Sequence, residues 1–285
     1  MEIKKIAVLG LGIMGNGIAH VCAQAGYEVW AREINDSLVK NGLQTIRKNL
    51  ERGLKKGRIT EEEIETIMTR IHGTTDLKAT VKDADIVIEA IIENMELKKQ
   101  VFREIAAMTP DHCIFASNTS SLSITELASA TKRPDKFLGM HFFNPVPVMK
   151  LVEIIKGSET SNETVQVIDN LAKKLGKETV LCNKDTAGFI VNRILIPWLN
   201  SALNTVYEGI ASPEDVDKAM KLGTNVPMGP LELLDFVGLD TTLHILEYMK
   251  QELGPTFQPS PWLKDLVRAG RLGRKTGRGI FDYRK

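Results

Sequence analysis

Cysteine is scarce in this sequence, and its placement excludes two ways of stabilising a fold. The three cysteines, Cys22, Cys113 and Cys182, are odd in number, far apart and never arranged as CxxC. This spacing argues against a disulfide framework and against a zinc site, and it is typical of a protein from a reducing compartment. We therefore expect a cytoplasmic protein that has no metal centre.

The sequence also lacks excess charge and long apolar runs. Its 37 Lys and Arg residues nearly cancel 36 Asp and Glu residues, which leaves a net charge of +1. No uninterrupted apolar segment reaches the roughly 18–20 residues of a membrane span. We therefore predict neither a nucleic-acid nor a membrane partner. The start MEIKKIAVLGLGIMG imitates a signal peptide, but glycines interrupt its apolar run and polar residues follow at Asn16, His20 and Gln24.

The pattern along the 285 residues favours two domains. Residues 3–9 and 27–32 predict buried strands with a helix between them, which is a βαβ unit with parallel strands. Residues 36–70 have helical periodicity, and Thr60 with Glu63 forms a capping box, so a helical hairpin interrupts the alternation. Strand patterns resume at 84–91, 113–118, 137–143 and 148–157. From residue 186 onward nearly every segment predicts helix.

A glycine-rich turn marks the first βαβ unit as a nucleotide site. The motif GxGxxG follows a predicted strand and opens a helix, and Glu33 lies about 18 residues beyond it, where the second strand ends. Its glycines permit a tight turn, close backbone approach to a pyrophosphate and helix packing, and the helix N-terminus attracts phosphates. The predicted contacts are Gly10, Gly12, Ile13, Met14 and Gly15. The alternative is a glycine-rich turn without a ligand.

Glu33 also predicts which cofactor binds. A carboxylate can accept hydrogen bonds from both ribose hydroxyls and would repel a 2′-phosphate, so NAD(H) is favoured over NADP(H). The neighbouring Arg32 weakens this preference. Together these patterns predict an α/β fold: a Rossmann-type, mostly parallel sheet with an inserted helical hairpin at residues 1–185, followed by an all-helical C-terminal domain at residues 186–285.

The stretch HFFNPVPVMKLVE holds a candidate acid-base pair. His141 ends one predicted strand and Glu153 lies in the next, and the carboxyl ends of parallel strands are where such sheets bind ligands. A histidine can take a proton from a hydroxyl whose carbon gives a hydride to nicotinamide, and a carboxylate on its other ring nitrogen would fix the tautomer. The alternative is a core histidine with a solvated strand glutamate.

Several ordered blocks carry a resemblance to a known family. GLGIMG, IEAIIENMELKK, ASNTSSLSIT, GMHFFNPVPVMKLVEII, AGFIVNRIL, PMGPLELLD and GRKTGRGIFDY are similar to the 3-hydroxyacyl-CoA dehydrogenases, most of all to bacterial 3-hydroxybutyryl-CoA dehydrogenases. The match spans the chain. It implies NAD(H)-dependent, reversible oxidoreduction of short 3-hydroxyacyl-CoA and 3-oxoacyl-CoA esters. It also implies a helical domain that binds substrate and dimerises, in a homodimer or a higher oligomer built from dimers.

The resemblance gives roles to matching residues. His141 would be the general acid-base residue and Glu153 its partner. Ser120 and Asn192 would bind the substrate's 3-oxygen and thioester region. The remaining cofactor-binding positions would be Glu93, Lys98, Asn118, Ser120 and Asn144. Taken singly, Ser120 could be a polar turn residue, Asn192 a surface amide and Lys98 a solvated helix charge.

A basic cluster in the helical hairpin predicts where coenzyme A would lie. Six Lys and Arg residues crowd into 47–58. A solvated helix face is the alternative, but a CoA ester carries a 3′-phosphate and a pyrophosphate that such side chains bind. The resemblance implies that this hairpin clamps CoA, and we predict contacts from Arg52, Lys55 and Lys56.

Two other functions fit parts of the sequence. A dehydrogenase of free 3-hydroxy acids shares a Rossmann domain and a helical domain, but those enzymes use a lysine in the second domain, where this chain offers Arg193. The basic hairpin would then be unexplained. A non-enzymatic protein that reuses the fold is the second alternative.

Overall fold

The computed structural model describes residues 2–284, and the chain divides into two compact units between Asp185 and Thr186. In the described part of the chain, no helix is long and apolar enough to cross a membrane. All three cysteines are buried thiols without a disulfide. Each unit has its own apolar core.

The first unit is built on one eight-stranded sheet in the order β3-β2-β1-β4-β5-β6-β7-β8. The strands are β1 (Lys5–Leu9), β2 (Glu28–Arg32), β3 (Ile71–Thr74), β4 (Ile86–Glu89), β5 (Ile114–Ser117), β6 (Phe137–Phe142), β7 (Leu151–Lys156) and β8 (Glu178–Cys182). All neighbours are parallel except β6 and β7. The prediction of a Rossmann-type, mostly parallel sheet is confirmed. Strand order reverses between β1 and β4, which is where such sheets bind ligands.

Seven helices of this unit connect the strands. They are α1 (Ile13–Gln24), α2 (Asp36–Leu54), α3 (Glu61–Thr69), α4 (Leu77–Val81), α5 (Met95–Ala106), α6 (Ile124–Ser129) and α7 (Asn162–Lys174). The inserted hairpin is α2 with α3, as predicted. Its capping box is present, because Glu63 N donates to Thr60 Oγ1 at 3.2 Å and Thr60 N donates to Glu63 Oε2 at 2.8 Å.

The edge strands β3 and β8 were not predicted. Each is four or five residues long. Only one residue in each is buried, Ile71 and Cys182, so neither segment has the apolar alternation of a strand. The two central strands β1 and β4 are buried almost throughout, and the sequence pattern identified both.

The second unit is all-helical, as predicted. Its helices are α8 (Val191–Tyr207), α9 (Pro213–Thr224), α10 (Pro230–Val237), α11 (Leu239–Leu253) and α12 (Pro261–Arg268). Ser212 caps α9 by accepting from Asp215 N at 3.1 Å, and Pro213 occupies the first helical position. Buried Asp217 accepts from Leu231 N and Glu232 N, which satisfies the first turn of α10.

Asp235 fastens the C-terminal segment to this unit. Its carboxylate is 1% exposed and accepts from Ile280 N at 2.8 Å and Phe281 N at 2.9 Å. Gly279 lies against it, since a Cβ there would be 1.8 Å from Asp235 Oδ1. The basic tail therefore folds around a buried carboxylate.

Replacing Asp235 should test this anchor. In Asp235→Ala two buried amides lose their acceptor. We therefore expect the free energy of unfolding, measured by urea denaturation, to fall by about 2–4 kcal/mol. Asp265→Ala is the control, because the carboxylate of Asp265 forms an exposed ion pair with Arg268 at 3.5 Å and its loss should change stability little. Equal losses in the two variants would contradict the anchoring role.

Candidate active site

The loop after β1 is shaped by two glycines that no other residue could replace. Gly10 has a φ of +93°, and a Cβ there would lie 2.7 Å from Ala90 O. A Cβ on Gly15 would lie 1.8 Å from Gly10 O. Around Gly12 no atom lies within 4 Å of a Cβ position, so its backbone is open to approach. The first turn of α1 has no side-chain cap and no acid, which leaves its N–H groups facing outward for an anion.

Glu33 lies beside this loop at the end of β2. Its Oε1 accepts from Leu11 N at 2.8 Å and its Oε2 accepts from Ile34 N at 3.0 Å. In the loop, Ile13 is exposed and Met14 packs partly on the core. An open glycine backbone, an uncapped helix start and a carboxylate at the end of the next strand fit the pyrophosphate and ribose of a dinucleotide.

His141 and Glu153 face each other across the one antiparallel pair of the described sheet. They are direct register partners in β6 and β7, and His141 Nδ1 lies 2.7 Å from Glu153 Oε2. His141 is 6% exposed and Glu153 is fully buried, so the interpretation of Glu153 as a solvated strand residue is wrong. We expected both at carboxyl ends of parallel strands. Instead β7 runs opposite to β6, and that reversal brings the two side chains together.

The carboxylate sets the roles of the two ring nitrogens. An ionised carboxylate only accepts hydrogen bonds, so the nitrogen facing it, Nδ1, bears the proton in the neutral ring. The lone pair of the neutral ring is then on Nε2. The ring of Phe143 packs beside the imidazole, with centroids 4.6 Å apart. His141 is therefore oriented by both a hydrogen bond and a packing contact.

A buried lysine supports the connection between β6 and β7. Lys177 Nζ donates to Val146 O at 2.5 Å and to Met149 O at 2.8 Å. Burial lowers the pKa of Lys177. Val146 also packs over α1, because a Cβ on Gly17 would be 2.7 Å from Val146 Cβ. No local motif in the sequence distinguishes Lys177, and we did not predict its role. Nearby Asn144, which precedes a cis proline peptide, is exposed.

The segment after β5 contacts the strand that carries His141 through Asn118. Its Oδ1 accepts from Phe142 N at 2.9 Å, next to His141 in the chain. Two residues on, Ser120 donates to Glu93 Oε1 from its backbone N at 2.9 Å and from its Oγ at 3.4 Å. Thus Asn118 and Ser120 belong to a hydrogen-bonded segment beside the strand that carries His141.

A cluster of buried charged groups lies beneath this segment. Lys98 Nζ contacts Glu89 Oε1 at 2.5 Å and Glu93 Oε2 at 3.2 Å. Lys98 is 1% exposed and Glu89 is 0% exposed. The interpretation of Lys98 as a solvated helix charge is therefore wrong. Glu89 was missed, although a glutamate ending the otherwise apolar strand IVIE was a signal for it.

Glu93 is ionised in this cluster. Its burial would raise its pKa, but the ammonium of Lys98 and the hydrogen bonds from Thr119 and Ser120 outweigh that effect and leave the pKa below its usual range. A lowered pKa means that folding favours the ionised form of Glu93 over the protonated form.

Basic side chains of the hairpin line a cleft of about 370 Å³. Its lining includes Arg52, Lys56 and Arg58, together with Pro145, Pro147 and Val148 from the connection after β6. Lys55 is exposed and is not among the lining residues. His20 also lines the cleft, and burial lowers its pKa to about 4, so it is neutral at pH 7.

In the second unit, Asn192 lies in the first turn of α8 and is 9% exposed. The interpretation of Asn192 as a surface amide is therefore wrong. Among residues 2–284, no three His, Cys, Asp or Glu side chains are grouped so that they could hold a metal ion.

Sequence models of one family match both units. The NAD binding domain of 3-hydroxyacyl-CoA dehydrogenase matches residues 5–186, and the C-terminal domain of the same enzyme matches residues 188–283. The chain belongs to the 3-hydroxyacyl-CoA dehydrogenase family. The resemblance found in the sequence is confirmed, and the first unit is an NAD-binding domain of this family.

Full-length relatives agree with this assignment. A probable 3-hydroxybutyryl-CoA dehydrogenase of Bacillus subtilis is 50% identical over 99% of this chain and 98% of its own. The human mitochondrial hydroxyacyl-coenzyme A dehydrogenase is 44% identical, over 99% of this chain and 92% of its own. The crystal structure of (S)-3-hydroxybutyryl-CoA dehydrogenase from Ralstonia eutropha covers 100% of both chains, with a TM-score of 0.95 and 46% identity.

The lowered pKa of Glu93 predicts a specific response to acid. The stability that this carboxylate contributes is complete above the unfolded pKa of a glutamate, about 4.3, and is lost as pH falls through the lower folded pKa. Glu93→Gln should therefore lose less stability than the wild type when thermal unfolding is followed from about pH 5 down to pH 3. Glu96→Gln, three residues later and exposed, is the control and should keep the wild-type slope. A wild-type slope in Glu93→Gln would contradict this account.

Proposed function

We propose that this chain catalyses the reversible NAD(H)-dependent interconversion of short 3-hydroxyacyl-CoA and 3-oxoacyl-CoA esters, such as 3-hydroxybutyryl-CoA and acetoacetyl-CoA. The observation that supports this most strongly is the buried contact of 2.7 Å between His141 Nδ1 and Glu153 Oε2, in a chain of the 3-hydroxyacyl-CoA dehydrogenase family. The short-chain preference follows from the names of relatives that match along their full length.

The residues of the first unit would hold NAD as follows. The backbone of Gly10, Gly12 and Gly15 and the start of α1 would bind the pyrophosphate, and Glu33 would accept from the ribose hydroxyls. When bound, this cofactor would supply hydride transfer to and from C3 of the acyl group. The other proposed cofactor contacts are Ile13, Met14, Glu93, Lys98, Asn118, Ser120 and Asn144.

Glu33 supports a preference for NAD(H) over NADP(H). A 2′-phosphate would meet its carboxylate, which the hydrogen bonds from Leu11 N and Ile34 N hold in place. Arg32, the residue that could offset this repulsion, donates its Nε to Thr75 O at 3.4 Å. The balance of these two charges favours the cofactor without the extra phosphate.

His141 would move the proton. In oxidation, Nε2 of the neutral ring takes the proton of the 3-hydroxyl group, and Glu153 stabilises the imidazolium that forms. In reduction, the imidazolium gives this proton to the oxygen on C3. Ser120 would donate a hydrogen bond to that oxygen, and we assign Asn192 the same task. Acid-base catalysis of this kind is typically worth about 10²–10⁴ in rate.

The cleft beside the helical hairpin would bind the CoA part of the substrate. Its three cations suit phosphate groups, and its proline and valine wall suits an apolar or flat group. Arg52 and Lys56 line this cleft and are the favoured contacts. Lys55 was predicted as a third contact, and its exposed position outside the lining makes it the weakest of the three.

We further propose that residues 1–185 bind NAD and that residues 186–285 bind substrate and form a homodimer, or a higher oligomer built from dimers. Support for dimerisation comes from an apolar surface of α8 that includes Ile194, 68% exposed, and Trp198. The cytoplasm is the proposed location, because all three cysteines are free thiols.

One assay separates this proposal from its alternatives. NADH oxidation should be rapid with acetoacetyl-CoA and negligible with free acetoacetate, and NADPH should be a poor substitute. Equal activity with free acetoacetate would indicate a dehydrogenase of free 3-hydroxy acids. No turnover of either compound would favour a non-enzymatic protein.

Substitution of the acid-base pair tests the mechanism. His141→Gln should fold, bind NADH and lose a factor of about 10²–10⁴ in kcat, because no group then moves the proton. Glu153→Gln should lower kcat strongly with a modest change in KM. His244→Gln replaces an exposed histidine of the second unit and should behave as the wild type. Near-normal turnover by His141→Gln would contradict the assignment.

The cleft predicts a contrast between neighbouring lysines. Lys56→Ala and Arg52→Ala should raise KM for acetoacetyl-CoA with little effect on kcat, because they remove charges that face the phosphates. These increases should shrink at high salt, where the attraction is screened. Lys55→Ala is the matched control and should change KM much less. A larger effect from Lys55→Ala would place the CoA phosphates outside this cleft.

A further inference from the structure

The buried cluster of Glu89, Lys98 and Glu93 has hydrogen bonds whose directions are fixed. Thr119 Oγ1 accepts from Leu122 N at 2.9 Å, and its own proton points to Glu93 Oε1 at 2.5 Å. Glu93 is therefore an acceptor on this side, as an ionised carboxylate must be.

Glu89 is an acceptor at every contact as well. Its Oε2 accepts from Ser117 Oγ at 2.6 Å, since that hydroxyl itself accepts from Thr119 N at 3.3 Å. Its Oε1 accepts from Ile91 N at 2.8 Å and from Lys98. No contact requires a proton on this carboxylate.

Lys98 neutralises only one of these two carboxylates. Its three N–H groups are directed to Glu89 Oε1 at 2.5 Å, Glu93 Oε2 at 3.2 Å and Ile91 O at 3.4 Å. Two carboxylates and one ammonium leave the cluster with one net negative charge. Because Glu89 and Lys98 are almost fully buried, water screens that charge weakly.

The cluster lies on one defined side of the cofactor crevice. Glu89 is the register partner of Leu9, the residue before the glycine loop, at the reversal point between β1 and β4. Glu33 would take the adenosine ribose at the end of β2, so the nicotinamide half would extend the other way, over β4 and β5 toward His141 on β6. The net negative charge is therefore on the nicotinamide side.

We propose that this cluster distinguishes the redox states of the cofactor. The nicotinamide ring of NAD⁺ is positively charged and that of NADH is neutral, so one fixed negative charge stabilises the oxidised form relative to the reduced form. The charge of Glu89 would then set the relative affinity for NAD⁺ and NADH. Glu89 acts at a distance from the cofactor, through its contacts with Lys98 and Ser117. The inference rests on the proposed function only for the identity of the cofactor.

Glu89→Gln tests this proposal through binding alone, with no acyl-CoA present. The dissociation constants of NAD⁺ and NADH are measured by calorimetry for wild type and variant. Removing the net charge should raise the ratio of the NAD⁺ dissociation constant to the NADH dissociation constant by roughly threefold to tenfold. Ser117→Ala removes a hydrogen bond from the same carboxylate and keeps the charge, so its ratio of the two constants should match the wild type.

The outcomes separate charge from structure. If Glu89→Gln weakened the binding of NAD⁺ and NADH by the same factor, the proposal would be overturned, because that result would indicate only a disturbed site. So would an equal change of ratio in Ser117→Ala. If Glu89→Gln does not fold, Glu93→Gln removes the same unit of charge from a less buried position and should shift the ratio in the same direction. A wild type that binds NAD⁺ and NADH but turns over no acyl-CoA would contradict the proposed function and leave this test intact.

Discussion

The antiparallel pairing of β6 with β7 is the constraint on which the site depends. It sets His141 opposite Glu153, and opposite residues on one face of an antiparallel pair have Cβ atoms about 4.5–5.5 Å apart. A slip of one residue would turn Glu153 to the other face of the sheet. Lys177 holds the connection between the two strands, and Asn118 holds the end of β6 against β5. The surrounding contacts therefore maintain the register that the chemistry needs.

Burial makes the contact between His141 and Glu153 important for both side chains. A fully buried carboxylate without a partner would be costly, so Glu153 and His141 depend on each other. An imidazolium beside a carboxylate in weakly screened surroundings is stabilised without help from water. The same reasoning applies to the cluster around Lys98, where one ammonium serves two carboxylates. The two buried clusters would thus have different tasks under our proposals: His141 with Glu153 would move a proton, and the Lys98 cluster would hold a fixed charge.

Local signals in the sequence predicted much of the fold. The glycine motif, the capping box at Thr60 and the cap at Ser212 depend on residues close together in the chain, and each forms as predicted. The direction of β7 was not predicted, because strand direction depends on how a connection folds and not on periodicity. Glu89 was missed although its position at the end of an apolar strand was a local signal, and Lys177 was missed because no local signal exists for it. The partners of Lys177, Val146 O and Met149 O, are about 30 residues away in sequence, and only the folded chain brings them together.

The central claim is that Glu153 holds His141 in one tautomer, with the proton on Nδ1 and the lone pair on Nε2. Nitrogen-15 NMR of histidine-labelled protein measures this directly, with Glu153→Ala used to assign the signal among the five histidines. The account predicts that neutral His141 has the shift of a protonated Nδ1, with a strongly hydrogen-bonded ring proton that is lost in Glu153→Ala. A neutral ring protonated on Nε2, or a spectrum unchanged by Glu153→Ala, would contradict it.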